Sequence, residues 1–376
     1  MDSALLDYEL PLERIARFPA EKRDNSRLLV YDRTSDTIEH AHFADLPKYL
    51  KTPHNFFRNN ASVLKGRIFA KKKTGGNVEC LLLTPLDSGT KWTCMIKPAK
   101  RLQIGATFGV DGEFEATVLE KFDDGRAVID FAIQGDGNVI SMSEKIGVVP
   151  LPPYIARNQN SPDYDRDFDN ARYETVYANP AKKVASAAPT AGLHFTPELI
   201  QTLKNSGHDF FDLTLHVGIG TFQPLKSDKI EDHIMHSEIY EIPTKTLSAM
   251  SDKSMPRLAV GTTSLRAMED FTRKHQNGFS CDSPVFDDAR LFVYPPQKIL
   301  SADAMITNFH LPRSTLMCLV AVLLKPESLD GIEVFNMHPG HNSRVGFAAQ
   351  YAKEHNFLII CGTDYHHFGH EGLCGI

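Results

Sequence analysis

At 376 residues, with 42% apolar and 23% charged side chains, the chain is long enough for two or three cores, and its composition is that of a globular protein. No apolar run approaches the ~20 residues of a membrane span, and Met1-Asp-Ser-Ala-Leu-Leu-Asp7 has no basic, signal-type start, so a cytoplasmic protein without a membrane partner is expected. A net charge of −6 excludes a uniformly basic nucleic-acid binder, and six cysteines with no Cys-x-x-Cys pair exclude a disulfide framework.

Residues 1–60 open with Leu6-Asp-Tyr-Glu-Leu-Pro11 and a short helix predicted around Leu12 to Ile15. The polar run Pro19 to Arg27 precedes Leu28-Leu-Val-Tyr31, which reads as a buried strand. Arg23 and Arg27 are candidate anion contacts, with ordinary ion pairs in a surface turn as the competing reading.

From 61 to 149 the pattern changes to short runs, Arg67 to Ala70, Val78 to Leu83, Lys91 to Ile96, Thr107 to Val110, Glu115 to Leu119 and Ala127 to Phe131. Gly75-Gly76, Asp111-Gly112, Asp124-Gly125 and Asp136-Gly137 punctuate them as turns, which predicts a small antiparallel β-barrel or sandwich. Between Leu64 and Arg101 nine Lys or Arg face only Glu79 and Asp87, a local balance of +7. Lys71, Lys72, Lys73, Lys97, Lys100 and Arg101 are therefore candidate phosphate contacts. A solvated lysine-rich edge that deters aggregation accounts for them equally well.

Pro150-Leu-Pro-Pro-Tyr-Ile155 closes this module; Asp163 to Asn170 reads as an acidic loop and Arg172 to Ala178 as a helix. Beyond Ala185, strands at Phe210–Leu215, Glu238–Ile242, Arg257–Val260 and Ala304–Thr307 alternate with helices. Those helices are predicted at Pro197–Asn205, Thr244–Ser251, Ser264–His275 and Ser314–Leu324. The fold class is α/β, a layered domain of residues 1–60 and 150–325 interrupted by the barrel of 61–149, with an atypical tail from 326 to 376.

Chemistry concentrates where strands give way to helices, the place at which open α/β sheets bind ligands. Ala187 to Thr196 carries Thr190, Gly192 and His194, and Thr196-Pro197 reads as an N-cap followed by the first helical position. Leu215-His-Val-Gly-Ile-Gly220 follows a strand, so His216 is expected to meet a ligand, and Gly218 and Gly220 allow close backbone approach. His236, Glu238, the Val260-Gly-Thr-Thr-Ser-Leu-Arg266 turn and the Thr307-to-Thr315 loop complete the set.

Nine of these stretches, in order from Asp7-Tyr-Glu-Leu-Pro11 through Arg23 to Leu29, Pro150 to Ile155, Arg172 to Ala178, Ala188 to Thr196, Leu215 to Phe222, Met235 to Glu238, Val260 to Arg266 and Thr307 to Thr315, carry a resemblance. The chain resembles the S-adenosylmethionine:tRNA ribosyltransferase-isomerases of queuosine synthesis. The resemblance implies an α/β domain interrupted by a small β-barrel. It also implies transfer and isomerisation of the ribosyl part of S-adenosylmethionine onto 7-aminomethyl-7-deazaguanine at the tRNA wobble position. Epoxyqueuosine-tRNA is the product, adenine and methionine leave, and no metal or redox cofactor is needed. His194, His216, His236 and His310 are then the candidate acids and bases. Arg266 and Arg313 are candidate carboxylate or phosphate forks. Thr190, Thr262, Thr263 and Asn308 would orient hydroxyls and base edges, beside Gly192, Gly218, Gly220, Glu238, Arg23 and Arg27. A monomer is expected.

Three features depart from the family pattern. Its Asn-Asp-Thr-Arg before the barrel is here Asn59-Asn60-Ala61-Ser62, which raises a catalytically impaired tRNA-binding homologue as an alternative. Its Tyr-Pro-Gly is here Tyr294-Pro295-Pro296. The tail, with Gly331 to Asn336, a helix over Ala348–His355 and Cys361-Gly-Thr-Asp-Tyr-His366, resembles the end of a PHP-type metal phosphoesterase. That second resemblance implies Asp364 and His366 as metal ligands, and His338, His341, His367 and His370 add further imidazoles. The earlier strands that would complete such a site are absent, so the tail is read as a non-catalytic fragment and no metal site is expected.

Overall fold

The computed structural model describes residues 1–376 except 33–36, 88, 156–160, 162–163, 219–224, 226, 234, 325–357 and 364–376; of 184, 323, 324 and 358–363 only the backbone is described. In chain order the strands are β1 (Arg27–Asp32), β2 (Thr37–His42), β3 (Asn55–Asn59), β4 (Ser62–Val63), β5 (Arg67–Lys72), β6 (Asn77–Pro85), β7 (Lys91–Lys97), β8 (Thr107–Val110), β9 (Phe114–Lys121), β10 (Arg126–Ile133), β11 (Lys183–Ala185), β12 (Asp209–Leu215), β13 (Glu238–Ile242), β14 (Arg257–Val260), β15 (Val285–Ala289), β16 (Ala304–Asn308) and β17 (Leu358–Thr363). The helices are α1 (Leu46–Tyr49), α2 (Val139–Ile146), α3 (Arg166–Arg172), α4 (Pro197–Asn205), α5 (Thr244–Ser251), α6 (Gly261–Lys274) and α7 (Thr315–Leu324).

Strands β5 to β10 close into a six-stranded antiparallel barrel, as their spacing predicts. Alternate side chains fill it, among them Ile68, Val78, Trp92, Phe108, Phe114 and Phe131. The other large sheet has the order β15-β13-β12-β3-β14-β16-β17-β1-β2. Its middle five strands, β12 to β17 in that order, are parallel. Period-two alternation divides them between two cores. Phe57, Ala259 and Met305 face Leu247, Leu265 and Met268 of α5 and α6. Phe56, Leu258, Ala304 and Ile306 face Phe195 and the α4 leucines Leu199 and Leu203. Helices on both faces explain why these strands read as continuous apolar runs.

Two expectations fail here. The acidic stretch is not a loop: Asp165 caps α3, accepting the amides of Asp167 at 3.0 Å and Phe168 at 2.9 Å. Its acids sit in the first turn, where the helix dipole favours them. The chain then leaves the helix at Tyr173, so Arg172 to Ala178 is a turn rather than a helix. The sequence also does not announce β3, although it lies at the centre of the sheet. Only Phe56 and Phe57 of its five residues favour a strand, too short a run to stand out between two asparagines; pairing with β12 and β14 on its two sides imposes the conformation.

The stretch that departs from the family pattern follows Asn59, which keeps the family's residue and is bonded into the sheet. The buried Asn59 Nδ2 donates to Leu215 O at 3.1 Å, and its Oδ1 accepts the amides of Leu215 at 3.1 Å and Ala61 at 3.0 Å. Asn60 Oδ1 accepts from Thr214 Oγ1 at 2.7 Å, and Ser62 Oγ donates to Glu174 at 2.8 Å. Asn59→Leu keeps the branching and heavy-atom count of the side chain and leaves three backbone groups without partners. It should lower unfolding free energy by about 2–4 kcal/mol in denaturant titration.

Candidate functional site

Parallel strands end together, so β12, β3, β14 and β16 deliver their C-terminal residues to one edge of the sheet. At β14 the chain enters α6 with no intervening loop. Gly261 permits this with φ of +85°, a conformation that a side chain would strain; a Cβ there would also touch Ala191 at 3.6 Å. The 3-10 turn Thr190–His194 packs against this helix start and β16. Together they floor a cleft of about 120 Å³, lined by Thr190, Val217, Thr262, Thr263, Thr307, Asn308 and His310. Its far wall comes from Ile15 to Pro19, Leu151, Tyr154, Ile155, Asp169, Arg172 and Tyr173.

The polar floor is internally ordered. The Thr307 hydroxyl donates to Asn308 O at 3.1 Å, so its oxygen accepts from His310 Nε2–H at 3.0 Å. His310 Nδ1 is thereby left as an acceptor, and burial pushes the imidazole down to about 4. The Tyr8 hydroxyl donates to the His310 carbonyl, tying the N-terminal segment to this loop. His194 is buried beneath, with Nε2 3.0 Å from Asn308 Oδ1. That bond turns the Asn308 amide nitrogen into the free donor of the side chain.

Beside the cleft lies a buried ion pair. Arg266 Nη1 donates to Glu238 Oε2, while Arg266 Nη2 donates to His236 O at 2.8 Å and Ala289 O at 2.9 Å. Glu238 Oε1 accepts the Gly218 amide at 2.8 Å. A smaller cavity behind Thr262 and Thr263 is lined by these two side chains, Thr315 and apolar residues.

The structure thus brings Thr190, Thr262, Thr263, Asn308 and His310 into the cleft, His194 under it, and Gly218, Glu238 and Arg266 beside it. Other sequence candidates lie elsewhere. Strand parity sends Val217 into the cleft and His216 to the opposite side, near Lys182 and Glu241; burial, then the Lys182 charge, lowers its pKa. His236 is exposed and contributes its carbonyl. Arg23 donates to Leu193 O and Ala171 O at 3.0 and 3.3 Å, and Arg27 starts β1 opposite His42; neither is among the residues lining the cleft. Arg313 donates to Ser3 Oγ at 3.1 Å. A Cβ on Gly192 would come within 2.0 Å of Tyr177 Oη, so that glycine serves close packing. Gly220, Asp364, His366 and the other tail histidines lie outside the described residues. Among the described residues there is no group of three or more His, Cys, Asp or Glu that could hold a metal, and no helix long and apolar enough to cross a membrane.

The wall residues Phe18, Tyr154, Asp169 and Arg172 carry no separate signal in the sequence, although two of the family-like motifs contain Tyr154 and Arg172. On the barrel, a groove of about 970 Å³ is lined by Lys71, Lys72, Lys73 and Lys97, and also by Glu79, Asp111 and Glu115. Lys73 pairs with Glu115 at 3.0 Å, Lys97 lies 3.9 Å from Glu79, and Lys72 donates to Arg101 O. Lys100 and Arg101 are exposed beside it. The β8–β9 hairpin carries acids onto this face, so it is less basic than the linear stretch suggests.

Comparison with known proteins gives consistent relatives. The family described as queuosine biosynthesis protein matches residues 3–332. The S-adenosylmethionine:tRNA ribosyltransferase-isomerase of Natranaerobius thermophilus is 41% identical over 320 residues, 84% of this chain and 89% of that protein. That of Thermotoga maritima is 40% identical over 318 residues, with the same coverage. A crystal structure of S-adenosylmethionine tRNA ribosyltransferase from Thermotoga maritima aligns with a TM-score of 0.45 and 27% identity, covering 95% of this chain and 99% of that one.

The lowered His310 pKa has a signed consequence. The folded state resists protonation that the unfolded chain accepts from the ordinary 6.5 downward, so stability is full above 6.5 and declines as pH falls toward about 4. His310→Gln should reduce the slope of stability against pH across that window by up to ~1.4 kcal/mol per pH unit, read from denaturant titrations at several pH values.

Proposed function

Because the chain belongs to the queuosine biosynthesis protein family, we propose that it is an S-adenosylmethionine:tRNA ribosyltransferase-isomerase. It transfers and isomerises the ribosyl moiety of S-adenosylmethionine onto 7-aminomethyl-7-deazaguanine at the tRNA wobble position, giving epoxyqueuosine-tRNA, adenine and methionine. The observation that carries this reading is the family match over 3–332, with relatives near 40% identity across 84% of the chain.

In this reading the α/β part, 1–60 with 150–325, does the chemistry, and the barrel of 61–149 helps to hold tRNA. S-adenosylmethionine carries its own leaving group at the sulfonium, so no metal or redox cofactor is required. The threonines and Asn308 orient ribose and base edges in the cleft. His310, neutral at pH 7 with a free Nδ1 lone pair, accepts a hydrogen bond from a ribose hydroxyl. His194 is a positioning residue acting through Asn308. His216 and His236 stand outside this cleft and carry no role in it. The catalytically impaired alternative rests on Asn60, Ala61 and Ser62 in place of the family's Asp-Thr-Arg; here Asn60 and Ser62 are bonded to Thr214 and Glu174, and the adenine-release measurement decides between the two readings. The phosphoesterase alternative rests on the tail alone, beyond the family match that ends at 332.

Purified protein incubated with S-adenosylmethionine and tRNA bearing 7-aminomethyl-7-deazaguanine should release adenine and methionine in equal amounts. Absence of adenine would overturn the reading. Replacing Lys71, Lys73 and Lys97 with Ala should weaken tRNA binding and lower its salt dependence by roughly one unit of slope for each phosphate that the variant no longer neutralises. An unchanged slope would remove this groove from the tRNA interface.

A further inference from the structure

We propose that the small cavity behind Thr262 and Thr263 is a carboxylate subsite that takes the amino-acid end of S-adenosylmethionine, an assignment that rests on the reaction proposed above. The cavity is bounded by the first turns of α6 and α7 and by the buried Arg266. Three polar atoms on residues lining it are buried with no hydrogen-bond partner: Thr263 Oγ1, Thr315 Oγ1 and Arg266 Nε. Their residues are only 9%, 4% and 7% exposed. Buried polar groups in folded proteins are nearly always satisfied, so three unpaired groups on residues around one space call for a partner that the protein itself does not supply.

The chemistry of that ligand follows from the donors. Thr262 and Thr263 also belong to the first turn of the fourteen-residue α6, whose N-cap, Val260, offers no side-chain acceptor. An uncapped helix start attracts negative charge. Arg266 adds an N–H, and the two hydroxyls can each donate. Glu238 already neutralises the Arg266 charge, so the site suits a single carboxylate better than a multiply charged phosphate. The rest of the lining is apolar, including Met235, Leu291, Phe292, Leu316 and Leu319, which matches the character of a short aliphatic arm. Thr262, Thr263 and Leu316 line both this cavity and the main cleft, so a ligand in the cleft can extend that arm inward. Of the three parts of S-adenosylmethionine, only the methionyl end has both an aliphatic arm and a carboxylate. Glu238 on the same wall presents a carboxylate to its ammonium group.

The test compares binding of S-adenosylmethionine with its decarboxylated analogue by calorimetry, in wild type, Thr263→Val and Thr263→Ser, with thermal unfolding confirming that each variant is folded. Wild type should favour the carboxylate-bearing ligand by about tenfold or more. Thr263→Val should lose most of that preference by weakening S-adenosylmethionine alone, and Thr263→Ser, which keeps the hydroxyl, should retain it. Equal wild-type affinity for the two ligands, or equal weakening of both in Thr263→Val, would overturn the subsite. Adenine release with tRNA is measured separately on the same wild-type protein. Adenine release without carboxylate preference refutes the subsite and leaves the reaction standing; preference without adenine release refutes the reaction and leaves the subsite standing.

Discussion

The arrangement of this site depends on the buried pair between Glu238 and Arg266. One carboxylate and one guanidinium join four pieces of chain: the Gly218 turn after β12, the start of β13, the end of β15 and the second turn of α6. Two charges taken out of water cost several kcal/mol each, and that cost is offset only when their remaining hydrogen-bonding groups are also met. Here two backbone carbonyls and one backbone amide meet part of that need, and Arg266 Nε is left over. Loss of either partner would leave a buried charge beside the smaller cavity. The pair therefore fixes the antiparallel flank of the sheet relative to the helix start that floors the cleft.

Around that anchor the site is built almost wholly from strand ends and helix beginnings. Gly261 removes the connection between β14 and α6, which brings Thr262 and Thr263 directly to the sheet edge. The loop after β16 holds Asn308 and His310 by bonds among Thr307, His194 and Tyr8. Both devices place polar atoms without long side chains, so little side-chain entropy is lost when a ligand binds.

Much of this is legible in the sequence for identifiable reasons. Thr196 and Pro197 form the expected cap, and α4 and α5 have the bounds their periodicity predicts. The three polar stretches after β12, β14 and β16 lie at one sheet edge because parallel strands share a direction. What is not legible depends on partners distant in the chain. The asparagine-ended β3 is a strand only between its neighbours. The side of the sheet that His216 faces is a matter of one-residue parity, which a strand end alone does not reveal. The charge of the barrel groove depends on Asp111 and Glu115, which reach it through strand pairing and are invisible to a count along one segment.

The barrel also bears on the order in which the chain can assemble. Arg58 of β3 and Asp212 of β12 are ion-paired across 154 residues of sequence, and the whole barrel lies within that interval. Closing so long a loop carries a large entropy cost that local contacts do not. The barrel strands pair mainly through short hairpins, and the two ends of the module meet at the antiparallel bridge between Arg67 and Val148. The inserted module thus shortens the effective loop that separates β3 from β12. Closure of the barrel before the sheet would therefore leave a shorter loop to close between β3 and β12.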